Sequence, residues 1–256
     1  SKIKKIILKK NKSKIICLTS YSKNFASIVD KYSDIILVGD SLGSVLYNYN
    51  STRHVTLKNM IDHSKSVRMG VSKSLMVVDM PYKSYSNKSE ALKNAKKIIK
   101  YTKCDAVKLE GGRKIKNIVK NLIKNKVSVM GHLGILPQSM VGKFKSKGKT
   151  EKEKNTLIKD SKMLESLGVF AIVLECVNSN TAKKITNSIK IPTIGIGSSF
   201  HCDGQILVTD DLLGLNETKI KFVKKFINIR KNIEQGIKKF KFEVINKKYP
   251  SKKYSY

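Results

Sequence analysis

Six titratable side chains stand at or near the downstream ends of short apolar runs. Asp40 closes IILVGD (35–40), Asp79 lies in LMVVDM (75–80), Lys108 and Glu110 in AVKLEG (106–111), His132 in VSVMGHLG (127–134) and Glu175 in AIVLECV (171–177). Charges at the ends of buried runs are costly unless they are paired or bind a cation. Singly, each has a structural reading. Asp40 could cap the turn before Ser41, Asp79 could close a turn before Pro81, and His132 could be a satisfied core histidine. Lys108 and Glu110, one residue apart and so on one strand face, could form a structural ion pair. Glu175 has the fewest such explanations. Taken together, several carboxylates with one imidazole and no cysteine cluster form a hard, oxygen-rich set that suits Mg²⁺ and not zinc. Two aspartates would hold the ion and leave positions open for a bidentate 2-oxo acid. The cation would polarise the ketone and stabilise the enolate formed when a base removes the adjacent proton. Lys108 offers its charge to the substrate carboxylate, and a remaining glutamate can serve as base.

Elements that could gather these residues follow from the hydrophobic pattern. With IICLTS (15–20), PTIGIGS (192–198) and QILVTDD (205–211), eight apolar runs alternate with lysine-rich segments of helical period. Nearly continuous hydrophobicity means burial on both faces, as in a parallel sheet covered by helices. In TLKNMIDHSKSVRMG, Met60, Ile61, Ser64 and Val67 share a face, Thr56 caps the start and Gly70 the end. In NKSEALKNAKKIIKY, Asn87 and Glu90 have capping-box spacing and Ala91, Ala95, Ile98 and Ile99 form the buried stripe. Eight such units predict a closed (β/α)8 TIM barrel, a single domain over residues 1–256, ahead of an open doubly wound sheet. The strands' C-terminal ends would then form one mouth, where the six residues meet. Two segments lie outside the alternation. QSMVGKFKSKGKTEKEKN (138–155) reads as a polar insertion, a lid or a solvated loop, leading into a helix NTLIKDSKMLESLG. Residues of about 218–245 read as a C-terminal helical extension, followed by a frayed tail.

Composition narrows the partners. The 256 residues are 40% apolar, enough for one large core. The net charge of +33 is the footprint of a nucleic-acid binder. Its make-up argues against that function. Only Arg53, Arg68, Arg113 and Arg230 supply the forked guanidinium that favours phosphate and base edges, and the lysines are spread along the chain. A basic nucleic-acid-binding protein on a catalytically dead barrel therefore remains the alternative from another class. No run approaches the length of a membrane helix, and SKIKKIILKKNKSKI has neither a long apolar segment nor a cleavage site, so the expected location is the cytoplasm. Cys17, Cys104, Cys176 and Cys202 stand too far apart for a CxxC site, and no disulfide scaffold is indicated.

The order of motifs resembles the ketopantoate hydroxymethyltransferase family. LTSY, LVGDSLG (37–43), STRHVTL, VVDMPY (77–82), VKLEGG (107–112), GHLGILPQS (131–139), VLECV (173–177), IPTIGIG (191–197) and DGQILV (203–208) follow one another in the family's order over about residues 17–226. The resemblance implies a barrel that carries a one-carbon unit from 5,10-methylenetetrahydrofolate to 3-methyl-2-oxobutanoate, giving 2-dehydropantoate for pantothenate synthesis, with Mg²⁺ and as a homodecamer. It implies Asp40 and Asp79 as metal ligands with Glu110 near the metal, Ser41 and Lys108 holding the 2-oxo acid, His132 beside it and Glu175 as base. The chain departs from the family in three places. Thr19-Ser20-Tyr21-Ser22 replaces a Thr-Ala-Tyr-Asp pattern, Gly197-Ser198-Ser199 replaces Gly-Ala-Gly, and Val141 to Lys149 differ from the family's insertion. A related magnesium barrel of the phosphoenolpyruvate mutase and isocitrate lyase type is the alternative within enzymes. Those commonly carry a reactive loop cysteine, whereas Cys176 directly follows Glu175 and is expected on the opposite strand face.

Overall fold

The computed structural model describes residues 1–140, 145–217 and 220–256. Its chain divides into two units, Ser1–Val208 and Thr209–Tyr256. In the first, β1 (Ile15–Thr19), β2 (Ile35–Val38), β3 (Leu75–Asp79), β4 (Ala106–Glu110), β5 (Val129–Gly134), β6 (Ala171–Glu175), β7 (Thr193–Ile196) and β8 (Gly204–Leu207) form a closed, all-parallel barrel in chain order. Seven of the eight lie within the runs predicted from hydrophobicity, and β8 starts one residue before its run. Helices α1 (Lys2–Leu8), α2 (Lys23–Val29), α3 (Leu42–Tyr47), α4 (Leu57–Arg68), α5 (Lys88–Thr102), α6 (Lys116–Lys124), α7 (Glu151–Ser166) and α8 (Ser179–Ser188) precede, follow or separate the strands. One unit breaks the alternation: β7 reaches β8 through residues 197–203 with no helix between them.

Period-two alternation sorts the strand residues into two cores. Ile15, Cys17, Ile35, Leu37, Leu75, Val77, Ala106, Met130, Ala171, Val173, Ile194 and Ile206 fill the barrel interior. Their neighbours Ile36, Val38, Met76, Val78, Val107, Val129, Ile172 and Leu174 pack against the helices. α1 closes the N-terminal end: Ile6 is 3% exposed and joins the interior cluster, while Lys2 donates to Ser72 and Ser74 carbonyls. The filled interior and the α1 cover leave the C-terminal mouth as the open end of the barrel.

Local signals act as their chemistry requires. Thr56 caps α4 in a reciprocal box with Asn59, worth about 1 kcal/mol, and Met60, Ile61, Ser64 and Val67 are its buried face. Asn87 caps α5 through the Glu90 N–H, over Ala91, Ala95 and Ile98; Ile99 is only partly buried and Thr102 completes the stripe. Gly70 does not end α4, which stops at Arg68. A Cβ at Gly70 would collide with α2 backbone at Lys23 and Ser27, so it serves close helix packing. α7 begins at Glu151, four residues before the predicted helix. Thr150 accepts the Glu153 N–H, and two glutamates in the first turn suit the helix dipole. The polar insertion is correspondingly shorter, and Val141 to Phe144 within it lie outside the described residues.

The second unit contains α9 (Thr209–Leu212) and α10 (Ile229–Ile245). The run QILVTDD is therefore strand only to Leu207, and its last residues turn helical. The predicted extension from about 218 is helical only from Ile229; Thr218 and Lys219 lie outside the described residues.

Candidate active site

Adjacent strands deliver the six residues to one place. β3 pairs with β4 so that Asp79 lies opposite Lys108, and β4 pairs with β5 so that Glu110 lies opposite His132. Asp40 lies two residues beyond β2, where its N–H donates to Asp79 Oδ2 at 3.1 Å. Lys108 and Glu110 do share one face, both 5% exposed, but they are not each other's partners. Lys108 Nζ is 2.8 Å from Asp79 Oδ1 and 3.5 Å from His132 Nδ1. The imidazole bridges two carboxylates, with Nδ1 3.5 Å from Glu110 Oε1 and Nε2 3.2 Å from Glu175 Oε2. Buried Asp79 Oδ1 and His132 Nε2 have close ionic neighbours but no well-directed hydrogen bond.

Glycines make room for this cluster. A Cβ on Gly39 would stand 2.9 Å from Ser41 Oγ and 3.5 Å from Asp79 Oδ2, so the missing side chain keeps a cradle open beside the aspartates. Gly134, at φ +102°, ends β5 against the Glu175 carbonyl, where any side chain would collide. Cys176 follows in the left-handed region at φ +49°, so strand alternation ends at Glu175 and does not fix the direction of the thiol.

The electrostatics describe a site short of positive charge. Burial, reinforced by Asp79 and Glu110, pushes the Asp40 carboxyl up to about 8. Burial likewise raises Asp79, although Lys108 opposes it. Burial alone would lower Lys108, but Asp79, Glu110 and Asp40 hold its ammonium firmly protonated. For Glu110, burial is outweighed by His132, Lys108 and the Gln138 N–H, and its carboxyl is held below the ordinary value. Burial and Lys108 oppose charge on His132, yet Glu110 and Glu175 raise it to about 9. Fully ionised, the four carboxyl groups would outnumber Lys108 and protonated His132 by two charges, and that excess, with burial, is what holds Asp40 largely protonated near neutral pH when no cation is bound. Among the described residues, no three His, Cys, Asp or Glu side chains form a ready cage. A pair of aspartates still fits magnesium, which is commonly held by one or two carboxylates with waters and substrate oxygens.

Several participants were not singled out from sequence. Gln138 (2% exposed), Tyr85 and Arg53 form a hydrogen-bonded network behind the carboxylates. Tyr21 OH lies 2.8 Å from Ser41 Oγ and fixes that hydroxyl. Their signal was positional: Tyr21 is in LTSY and Gln138 in GHLGILPQS. Ser198 and Ser199 brace the β7–β8 connection, through the Val177 carbonyl and the Ser179 hydroxyl. All four cysteines are unpaired, and Cys17, Cys104 and Cys202 are buried. No helix among the described residues is long and apolar enough to cross a membrane.

Comparison with known proteins gives a consistent picture. The family described as ketopantoate hydroxymethyltransferase matches residues 1–252. A 3-methyl-2-oxobutanoate hydroxymethyltransferase of Pelagibacter ubique is 64% identical over 255 residues, covering 100% of this chain and 99% of that protein. One from Clostridium botulinum is 45% identical, covering 97% and 92%, and one from Anaplasma marginale is 42% identical, covering 97% and 90%. Among solved structures, phosphonopyruvate hydrolase with oxalate and Mg²⁺ is similar at a TM-score of 0.64 and 8% identity, over 99% of this chain and 93% of that one. A 2,3-dimethylmalate lyase of the phosphoenolpyruvate mutase and isocitrate lyase superfamily gives 0.62 and 11%, over 95% and 88%. At such identities the likeness shows the barrel alone.

Proposed function

Since the chain belongs to the ketopantoate hydroxymethyltransferase family, we propose that it transfers a hydroxymethyl group from 5,10-methylenetetrahydrofolate to 3-methyl-2-oxobutanoate. The product is 2-dehydropantoate, in pantothenate synthesis in the cytoplasm. The observation that carries this reading is the unbroken chain of contacts from Asp40 through Asp79 and Lys108 to His132, which reaches both Glu110 and Glu175 at the mouth of the barrel.

Asp40 and Asp79 would hold magnesium, with Glu110 close by, and the bound ion would supply Lewis-acid polarisation of the substrate ketone. Lys108, kept protonated by its carboxylate neighbours, orients the substrate carboxylate together with the Ser41 hydroxyl, which Tyr21 steadies. His132 stands beside the substrate and steadies Glu175 through its charge. Glu175 takes the proton from C3 of the 2-oxo acid. The Glu175 side chain is 18% exposed, against 3% for Asp79 and 2% for Glu110, so it is the carboxylate most open to an arriving substrate. The carbon nucleophile then joins the methylene carbon, whose bonds to folate nitrogen break. Water supplies the hydroxyl and tetrahydrofolate leaves.

The test is incubation with Mg²⁺, methylenetetrahydrofolate and 3-methyl-2-oxobutanoate, with dehydropantoate read by mass spectrometry; no product refutes the assignment. We further propose that residues 1–256 act as one barrel domain with an extension, assembled as a homodecamer. Sedimentation should then show a species about tenfold the 28.8 kDa chain, and a monomer at both low and high salt would refute it. Specific nucleic-acid binding forms no part of the function. Retention on phosphate matrices should weaken with salt, as charge alone requires, and a sequence preference that survives physiological salt would refute this.

A further inference from the structure

We propose that Gln138 is a positioning residue that fixes which oxygens of Asp40 and Glu110 face the metal. It stands in the short helical turn Pro137–Ser139 after β5 and is 2% exposed. Its backbone N–H donates to Glu110 Oε2 at 3.0 Å, and its Nε2 donates to Asp40 Oδ2 at 2.8 Å and to the Met80 carbonyl at 3.0 Å. One residue thus occupies an oxygen on each of two carboxylates that are 28 and 98 positions away in the chain. That leaves Asp40 Oδ1 and Glu110 Oε1 for other partners.

The orientation of the amide follows from its neighbours. The Met80 carbonyl can only accept, so the NH₂ must face it, and Asp40 takes the second hydrogen. Tyr85 donates its hydroxyl to Oε1 at 2.5 Å, and burial holds that phenol protonated far above the ordinary range, so it remains a donor. Arg53 Nε donates to the Gln138 carbonyl at 2.8 Å, and its guanidinium lies over Tyr82, 5.0 Å from the ring centroid. The amide is therefore clamped at both ends. A clamp behind a ligand oxygen fixes carboxylate rotation before the cation arrives, and losing such partners commonly weakens metal binding about 10–100-fold.

This inference rests on the magnesium reading above, and its test separates the two. Mn²⁺ binding is measured by electron paramagnetic resonance on wild type, Gln138→Met, Tyr85→Phe and Asp40→Asn, with circular dichroism to verify folding. Wild type and Asp40→Asn should differ by loss of the site. Gln138→Met should weaken Mn²⁺ binding about tenfold or more, and Tyr85→Phe, which frees only the far end of the amide, by less. KM for the 2-oxo acid should rise with the Mn²⁺ dissociation constant, and excess Mn²⁺ should restore much of the turnover lost in Gln138→Met. If Asp40→Asn loses the site while Gln138→Met and Tyr85→Phe both bind Mn²⁺ as wild type does, Gln138 does not position the ligands. If Asp40→Asn itself binds normally, the metal reading falls and takes this inference with it. Should Gln138→Met fail to fold, Tyr85→Phe decides: unchanged Mn²⁺ affinity overturns the clamp.

Discussion

Replacing Glu175 with glutamine keeps the side-chain shape and removes the basic oxygen. The proton at C3 of a 2-oxo acid is too weakly acidic for an unaided carboxylate, so the base contributes only after the ketone is polarised. A positioned general base is worth about 10²–10⁴-fold, roughly 3–5 kcal/mol of barrier. The structure also limits what could replace it. Asp40, Asp79 and Glu110 are each 5% exposed or less, so His132 is the natural substitute. With burial and Lys108 opposed and outweighed by Glu110 and Glu175, His132 is raised to about 9. At pH 7, two units lower, only about one molecule in a hundred would hold a neutral imidazole. The fallback thus begins up to about a hundredfold behind, and by less in the variant, where the Glu175 carboxylate no longer helps hold the imidazolium. The assay is exchange of the substrate C3 proton in deuterated solvent by NMR, with Mg²⁺ and without folate. Glu175→Gln should slow exchange at pH 7 by about a hundredfold or more. What remains should climb with pH as His132 deprotonates, and over a lower range than about 9, because the carboxylate that helps hold the imidazolium is gone. Exchange at the wild-type rate, flat in pH, would show that Glu175 is not the base.

Three further expectations follow from individual carboxylates and one turn. Asp40→Asn and Asp79→Ala should each abolish Mg²⁺-dependent turnover. Because the Asp40 carboxyl is raised by burial and like charges, its removal should stabilise the metal-free protein by about 1–4 kcal/mol at pH 7 in urea titrations; full activity in both variants would refute the metal assignment. Asp30 is the opposite case. Burial opposes its charge, but N–H groups of Ser74, Lys73 and Ser72 hold its carboxyl well below 3.8. Its stabilisation is whole above that value and drains as pH falls through the native-state range, by up to about 1.4 kcal/mol per pH unit. Asp30→Asn should flatten that acid slope, and an unaltered slope would refute the account. Lys103 caps α5 in the left-handed region at φ +55° with an exposed side chain, so Lys103→Gly should raise stability by about 0.5–1 kcal/mol in the same assay, and a loss would contradict it.

The barrel was legible because both faces of its strands are buried, which writes itself as eight apolar runs with little ambiguity of position. The six mouth residues were legible for the reverse reason: charges at the ends of such runs stand out. Gln138 was not, since a neutral amide in a loop has no such contrast, and its importance exists only through partners 28 and 98 residues away. The missing helix between β7 and β8 was legible in principle: only residues 199–204 separate the two runs, too few for a crossover helix, but alternation was assumed there. The early start of α7 was available in principle: Thr150 and Glu153 have capping-box spacing, but the lysines around them read as loop. Pairing could not be assigned from spacing either. Lys108 and Glu110 looked like partners, and only the register that sets Asp79 beside Lys108 decides otherwise.

Aspartates stand at both ends of this barrel, just before the strands at one end and at or beyond the strand ends at the other. At the N-terminal end, Asp34 accepts the Ile16 N–H and Lys9, Asp105 accepts the Met76 N–H, and Asp203 accepts the Thr193 N–H, the Thr193 hydroxyl and Lys10. Each stands just before a strand and ties it to a neighbouring one, so its charge is used up in stitching the barrel. At the mouth the two aspartates are deeply buried and feel the charge of neighbouring carboxyl groups. Asp40 has a single amide from Gln138, and Asp79 has one backbone N–H and one off-axis ammonium. Burial and like charges raise both carboxyls, and a cation supplied from outside would relieve them.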